Sequence, residues 1–455
     1  MNIKKPRFPR FHGKWHTKEE QRVQILDLVL KTLVPVFLLA CIVFSFKFGS
    51  FNGYLQLLSR QSYATPLMAL GAVFTVAYLL FQLVRTILWW RYKPHCLPDG
   101  PLPSVTVIIP AYNEGQMVEN AIYSAAASDY PKDRLEIICI DDGSKDDTWF
   151  YIERAQKRFP ELIKAIKFPR NRGKKEGLYQ GFKEGRGEYF VTMDSDSILT
   201  PDTIKNILAP MMANPRVGAV AGNVKVYNRA MALLPRMLAV RFVLAFDFLR
   251  ASQSMYGAVT CTPGACSAYR REAVLPIADN WLHQTFMGRP ANIGEDRALT
   301  NFVLRQGFYV TYQRSAVVHT VVPETYQGLC RMYLRWDRSN FRESWVQLGF
   351  LFTNYRKKHR ILPILDFFIT QIEFPLTYLF LGLLLASFFV YPMVMVKFFA
   401  GLGVLTLLYM FYYIHQERDL EFIYGILYSY FAFFLLNWVQ PYAFITLRND
   451  RWLTR

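Results

Sequence analysis

The sequence predicts an α/β domain with a parallel-rich sheet, flanked by transmembrane and interfacial α-helices. Three observations predict it. Between Ser104 and Pro201, β-branched runs alternate with segments of helical spacing. Apolar stretches near both ends approach the roughly 20 residues that span a bilayer. Hydrophobic residues make up 52% of the 455, and aromatics 16%, unevenly distributed along the chain.

Residues 1–28 are a basic N-terminus, "MNIKKPRFPRFHGKWHTKEEQR" and its continuation. Val29 to Phe46 is apolar apart from Lys31, and Thr65 to Val84 carries no charge, so 29–93 reads as two transmembrane helices. A secretory signal peptide is the competing reading of the first stretch. Its basic leader is longer than an n-region, and no small-residue cleavage site precedes the second stretch. "RTILWWRYKPH" is again basic, and Trp89, Trp90 and Tyr92 suit an interfacial belt. By the positive-inside rule both ends of this pair face the cytoplasm, and so does the stretch from 100 to 350. The expected location is the plasma (inner) membrane, multi-pass, with a cytoplasmic catalytic domain.

Lys and Arg number 53 against 35 acidic residues, a net charge of +18. The basic residues lie beside the spans or near acidic motifs, so the expected partners are the lipid bilayer and a phosphate-bearing substrate rather than nucleic acid. Six cysteines show no CxxC pair and no zinc spacing, as expected of reduced thiols.

From Ser104 the elements run in order. "SVTVIIPAYNE" is a strand, "GQMVENAIYSAAAS" a helix, and "LEIICIDDGS" a strand ending at Asp141-Asp142. A helix, the strand "IKAIKF", the helix "KKEGLYQGFKEG" and the strand 189–193 follow. In such sheets ligands sit beyond the carboxyl ends of the strands. Ala111, Tyr112 and Glu114, then Asp141 and Asp142, Lys174 and Lys175, and Asp194 with Asp196 all fall there. Two carboxylates at one place repel unless a cation lies between them, and oxygen ligands suit Mg²⁺ or Mn²⁺. Together with the lysines they describe a nucleoside diphosphate held by metal and ammonium. A DxD alone is more often a solvated turn; four clusters on one edge reverse that. No Walker lysine motif and no GxGxxG after the first strand are present.

"VIIPAYNE", "DDGS", "NRGKKEG" and "DSD" resemble the family-2 glycosyltransferase domain. "TPGACSAYRR", "HQTFMGRPANIGEDRALTNF" and "YLRWDRSNFRES" resemble its membrane-embedded processive branch, hyaluronan synthases and nodulation chitooligosaccharide synthases. The resemblance implies a GT-A-type domain over 100–325 and amphipathic interfacial helices with an RW motif over 326–360. It implies donor contacts from Ala111, Tyr112, Glu114, Asp141, Asp142, Lys174, Lys175, Asp194 and Arg335, with metal on Asp194 and Asp196. Asp296 would be the catalytic base, Glu295 would shape the site and Arg297 stand beside it; Gly264 and Trp336 would meet the acceptor. A helix-capping role is the alternative for Asp296, and a membrane-surface anchor the alternative for the aromatics at 333 and 336. Met332 stands where the family pattern has Gln, a departure that bears on one polar contact. Arg270, Arg271 and Arg297 are candidate partners for a uronic carboxylate, for diphosphate or for acidic neighbours.

His319 is expected to be buried and hydrogen-bonded. The stretch 228–252 is read either as a membrane-surface helix or as a core helix. Asp366 and Glu373 are expected to face a wet interior. Residues 361–447 divide into three or four spans; three would place the basic tail 448–455 outside, so four are expected. The implied function is an inverting, processive transfer from a UDP-sugar, UDP-N-acetylglucosamine foremost, to a growing β-linked polysaccharide translocated across the membrane. Alternatives are another β-glycan, short oligomers or an inactive scaffold. The sequence sets no oligomeric state.

Overall fold

The computed structural model describes residues 17–47, 64–356 and 359–449. The basic residues 1–16 and the tail residues 450–455 lie outside the described residues. The described residues form two compact units, one of 91–356, 359–360 and 436–449, the other of 17–47, 64–90 and 361–435.

The first unit is built on an eight-stranded sheet. Its strands are β1 (Val105–Ala111), β2 (Leu135–Asp141), β3 (Ile163–Lys167), β4 (Tyr189–Thr192), β5 (Ser197–Leu199), β6 (Val217–Val226) and β7 (Ser267–Arg270). A small hairpin, β8 (Thr285–Phe286) and β9 (Arg289–Pro290), lies apart, and β10 (Tyr309–Thr320) completes the sheet in the order β3-β2-β1-β4-β7-β6-β10-β5. The four strands from β3 to β4 are parallel, as is the pair β6–β10. Val107, Ile108, Ile109, Ile137, Ile138 and Ile140 are wholly buried, which explains why β1 and β2 read as continuous apolar runs rather than alternating ones.

Two strands run against the rest. β7 is antiparallel to both β4 and β6, and β5 is antiparallel to β10. β7 lies within "TPGACSAYRR", after the turn that carries Pro263 and Gly264. The turn is followed first by the four residues of β7, too short a run for alternation to register.

Residues 233–254 are two helices, Leu233–Phe242 and Leu249–Ser254, joined by a π turn at Val243–Phe248. Leu238, Val240, Phe248 and Ala251 are buried, so this stretch is a core helix. Tyr326–Leu351 is one continuous helix, begun by Thr325, whose side chain accepts from the Gly328 N–H at 3.2 Å. The short helix Val439–Ile445 packs along it. Arg338 donates through Nε and Nη2 to Thr446 Oγ1 at 3.1 and 2.9 Å, and the Phe341 and Phe444 rings lie 5.3 Å apart. Tyr92 is also part of this unit's core. Its hydroxyl donates to the Tyr312 carbonyl at 2.8 Å rather than reaching a membrane interface.

Among the described residues, the second unit carries four helices long and apolar enough to cross a membrane, within Thr17–Lys47, Ala64–Arg91, Ile361–Val390 and Met393–Glu417. The remaining apolar stretch is a pair, Phe422–Leu436 and Val439–Ile445, bent by 45°. Four passes after Ile361 are therefore not formed. Ile361–Val390 is a single helix, and no further pass is hidden within it. Asp366 is bound to Arg85, whose Nη2 and Nε lie 2.5 and 3.1 Å from its Oδ1, with Thr370 Oγ1 at 3.1 Å. The carboxylate expected in a wet interior instead ties two helices together. Lys31, the charge inside the first apolar run, lies 2.9 Å from Asp27 and 3.1 Å from Glu421. Trp89 is buried with its ring against Tyr412 and His415, while Trp90 is exposed.

Candidate active site

The parallel strands end together, and their ends build the site. Ala111 and Asp141, the last residues of β1 and β2, are paired in register. The Ala111 carbonyl accepts from Asp142 N–H at 2.8 Å, and Glu114 N–H donates to Thr148 Oγ1 at 2.8 Å, so the loop carrying Tyr112 is anchored on both sides. The two aspartates of β2 then diverge. Asp142 accepts from the backbone N–H groups of Arg172 and Gly173 at 2.6 and 2.8 Å and so holds the loop before the helix Lys174–Glu184. Burial raises its carboxyl above the ordinary range, against the pull of those donors. Asp141 is fully buried. Its Oδ1 accepts from Ser144 N–H at 3.0 Å, while Oδ2 has no partner among the described residues.

The two lysines also diverge, because consecutive residues on a helix point about 100° apart. Lys174 Nζ lies 2.5 Å from Asp194 Oδ1 and 2.9 Å from Glu295 Oε1. Burial opposes its charge, but the two carboxylates raise its pKa above the usual lysine value. Lys175 turns inward to the Ala291 carbonyl at 3.1 Å and over the Trp281 ring. Burial, with Arg342 nearby, lowers it to about 8.

Asp194 follows β4, and Asp196 precedes β5, where its Oδ1 accepts from Thr320 Oγ1 at 3.3 Å. Gly264 faces this corner. A Cβ there would stand 2.7 Å from Lys174 Nζ and 3.3 and 3.4 Å from the two Asp194 oxygens. The glycine therefore leaves a cradle in front of an ammonium and a carboxylate. Among the described residues no group of three or more His, Cys, Asp or Glu gathers for a metal. A pair of carboxylates beside an open cradle fits Mg²⁺ or Mn²⁺, which completes its shell with water and substrate phosphates.

Glu295 and Asp296 open the helix Glu295–Arg305, whose cap is Gly294 at φ +70°, a left-handed position that favours glycine. Asp296 thus lies inside the first turn rather than at the cap. The Trp281 indole N–H donates to the Glu295 carbonyl at 3.0 Å. Burial disfavours the Glu295 charge, yet Lys174 and Arg335 hold its carboxyl below the ordinary range. Asp296 goes the other way: burial first, then the Glu295 charge, raise it. Its Oδ1 accepts from Arg297 N–H at 2.7 Å, and the Cys261 thiol lies 3.7 Å from Oδ2.

Arg297 reaches the helix Tyr326–Leu351, donating to Asn340 Oδ1 at 2.5 Å and Ser344 Oγ at 3.2 Å. On that helix the Arg335 charge acts on both Glu295 and Asp296. The Trp336 ring is half-buried, 5.7 Å from Tyr333 and 6.2 Å from Phe242. Met332 is buried, so an apolar contact replaces the polar one of the QxxRW pattern.

Residues that the sequence reading passed over bind this helix to the acidic pair. Glu343 is fully buried and accepts from Arg342 Nε at 3.1 Å, Gln284 Nε2 at 3.1 Å and Asn301 Nδ2 at 3.0 Å. Arg342 also donates to the Ile293 carbonyl. "FRES" stood in a quoted motif, but an Arg-Glu pair in an amphipathic helix reads as a solvated face, and nothing local marks it as buried. His319 is half-buried; its Nδ1 has no partner among the described residues, and burial with Lys225 and Arg229 nearby lowers its pKa. The expected hydrogen bond is absent at that atom.

The sequence profile of Glycosyl transferase family 2 matches residues 106–275. An N-acetylglucosaminyltransferase of Rhizobium leguminosarum bv. viciae is 33% identical over 371 residues, 79% of this chain and 83% of its own length. A hyaluronan synthase of Streptococcus pyogenes is 28% identical over 431 residues, 93% of this chain and 98% of its own. Among solved structures, a mannosyltransferase of Pyrobaculum calidifontis in complex with GDP-Man and Mn²⁺ superposes with a TM-score of 0.58 at 22% identity, covering 80% of this chain and 97% of its own. That similarity is one of fold.

Proposed function

The chain belongs to glycosyl transferase family 2, and from that premise we propose that it transfers N-acetylglucosamine from UDP-N-acetylglucosamine to a growing β-linked polysaccharide of chitin or hyaluronan type. The transfer is processive and inverting, and the product passes through the protein's own membrane helices. One observation carries the reading: Lys174 joins the DxD carboxylate Asp194 to Glu295, beside the base. Relatives named N-acetylglucosaminyltransferase support the donor.

The residues divide the work. Asp141 Oδ2, buried and unpartnered, accepts from the N–H of the nucleobase. Lys174 turns from its carboxylates to the donor diphosphate, through the cradle that Gly264 leaves open. Asp194 and Asp196 would hold Mg²⁺ or Mn²⁺, which supplies positive charge to the leaving diphosphate. Asp296 takes the proton of the acceptor hydroxyl as that oxygen attacks the anomeric carbon. Its raised pKa makes it a stronger base than an ordinary carboxylate. A single displacement turns an α-linked donor into a β-linked product. Trp336 offers the acceptor ring a flat face, and Arg335 balances the acidic pair.

The basic flanks of the first two spans favour a cytoplasmic catalytic unit in the plasma (inner) membrane. Thr446, held by Arg338, puts the residues just before the basic tail on that same unit. The bent pair then reads as a re-entrant segment rather than a span.

The test is a product assay. Purified chain with Mg²⁺ or Mn²⁺ receives labelled UDP-N-acetylglucosamine, UDP-glucose and UDP-glucuronate, singly and in pairs. Label from the first is expected in a polymer that chitinase or hyaluronidase degrades. Incorporation from UDP-glucose alone would overturn the donor assignment and leave only the glycosyltransferase class.

A further inference from the structure

The arginines with which the sequence would meet an acceptor are engaged by the protein itself. Arg270 donates to the Val217 and Met211 carbonyls and to the Tyr189 hydroxyl. Arg271 donates to the Gly185 and Gly187 carbonyls, and Arg297 to Asn340 and Ser344. Each holds two elements together.

Arg250 differs. Its guanidinium lies 4.1 Å from the centre of the Phe246 ring, a contact that fixes the plane and uses none of its N–H donors. Its Nη1 is shielded from solvent and has no hydrogen-bond partner among the described residues. The same holds for the hydroxyl of Tyr312, a fully buried side chain on β10. Tyr312 has little freedom to move, because its N–H donates to Ser254 Oγ at 3.0 Å and its carbonyl accepts from Tyr92 at 2.8 Å.

Arg250 and Ser254 lie one turn apart on one helix face, and Ser254 Oγ accepts from the Tyr312 N–H at 3.0 Å, so both orphans belong to the junction of that helix with β10. The Asp296 carboxylate and the Arg297 guanidinium lie near enough to act on the Arg250 charge. Cys261 is itself 3.7 Å from Asp296 Oδ2. This corner thus adjoins the base on its Cys261 side, apart from the lysine that meets the diphosphate. A guanidinium and a phenol left unsatisfied away from water are unfavourable in the free protein, and a ligand that brings oxygen atoms relieves both. Backbone geometry points the same way. The helix reaches Arg250 through the π turn Val243–Phe248, a deviation frequent at functional sites. That turn carries Phe246 under Arg250 and follows Phe242, the neighbour of Trp336.

We propose that Arg250 and Tyr312 form a polar acceptor subsite, binding an oxygen of the terminal sugar while its ring rests on Trp336 and its hydroxyl faces Asp296. The oxygen is a hydroxyl or acetamido carbonyl if that sugar is N-acetylglucosamine, and a carboxylate if it is a uronate. The inference rests on Asp296 as the base, and its test separates the two.

Full-length protein with saturating UDP-N-acetylglucosamine and Mn²⁺ is titrated with N,N′-diacetylchitobiose and, separately, with a hyaluronan tetrasaccharide ending in glucuronate. UDP affinity in Mn²⁺ is measured alongside. Arg250→Gln is expected to raise the acceptor KM by about tenfold or more, the loss of a hydrogen bond to a charged group, while UDP affinity stays within about twofold. Arg250→Lys recovers part of the loss, because it keeps the charge without the fork. Tyr312→Phe, which removes one oxygen and threatens folding least, raises the acceptor KM in the same direction. A larger effect on the glucuronate-ended probe assigns the carboxylate; an equal effect assigns the hydroxyl or amide. Unchanged acceptor KM in both Arg250→Gln and Tyr312→Phe, a parallel fall in UDP affinity, or no stimulation of the wild type by either probe overturns the subsite. Asp296→Asn is run beside them. If it keeps turnover the base reading fails; if it is inactive while Arg250→Gln behaves as wild type, only the subsite fails.

Discussion

Lys174 Nζ and Glu295 Oε1 meet at 2.9 Å, although one opens the helix after β3 and the other the helix after the β8–β9 hairpin. Glu295 is almost fully buried, and this lysine is the ion-pair partner that keeps its charge. Because Lys174 also meets Asp194, the pair joins the end of β4 to the helix that Glu295 opens.

Lys174→Met removes that cation and one diphosphate partner together. We expect UDP affinity in Mn²⁺ to fall by an order of magnitude or more, the loss of a charge-assisted bond. Titration of UDP into the variant checks it, and wild-type affinity would detach Lys174 from the donor.

Gly264→Ala places a methyl group in the cradle. The nearest atom it would meet is the end of a flexible lysine, at 2.7 Å, so the fold should survive with a thermal transition close to wild type. Donor KM should rise and turnover fall by about tenfold, because Lys174 must shift away from where a diphosphate needs it. An active enzyme with unchanged donor KM would show that the cradle is not used.

The acid limb of the pH profile should report Asp296. Transfer needs its carboxylate, and the raised pKa places the loss of activity at a higher pH than an ordinary aspartate, about 3.9, would give. Glu295→Gln removes a neighbouring negative charge and leaves Lys174 less neutralised. Both effects favour ionised Asp296, so the limb should move to lower pH. A limb that moved upward, or stayed, would show that Glu295 does not tune the base.

Much of this was legible in the sequence, and what was hidden had local causes. β1, β2 and β3 are runs of five to seven residues rich in Val and Ile, and each stands between helical segments. β7 is too short to read. At the site, the spacing of Asp194 and Asp196 was visible, but adjacency blurred the other pairs. Asp141 keeps a buried oxygen with no partner among the described residues while Asp142 accepts from the Arg172 and Gly173 N–H groups, and Lys174 reaches Asp194 and Glu295 while Lys175 turns to the Ala291 carbonyl. Neighbours in sequence leave a strand or helix in different directions, and composition cannot choose between them. The Arg342–Glu343 pair was hidden for another reason: its burial depends on Gln284 and Asn301, which are distant in sequence.

Glu343→Ala removes a buried carboxylate that satisfies three donors and leaves the Arg342 guanidinium without its counter-charge. Losing one partner of a buried pair costs about 3–5 kcal/mol. The thermal transition of the purified protein should fall accordingly. A change within a degree of wild type would mean that the pair contributes little to stability.

The network around Glu343 has a mechanical consequence. Ile293, Asn301 and Arg297 are each bonded to the helix that carries Trp336, so the helix opened by Glu295 and Asp296 is tied to it at three points. Asp141 and Asp194, by contrast, stand at the ends of sheet strands. Lys174 Nζ, 2.5 Å from Asp194 and 2.9 Å from Glu295, is the ion-pair link between the two parts. On the proposed function, a diphosphate that drew Lys174 away would loosen that link and leave the hydrogen bonds around Glu343 in place.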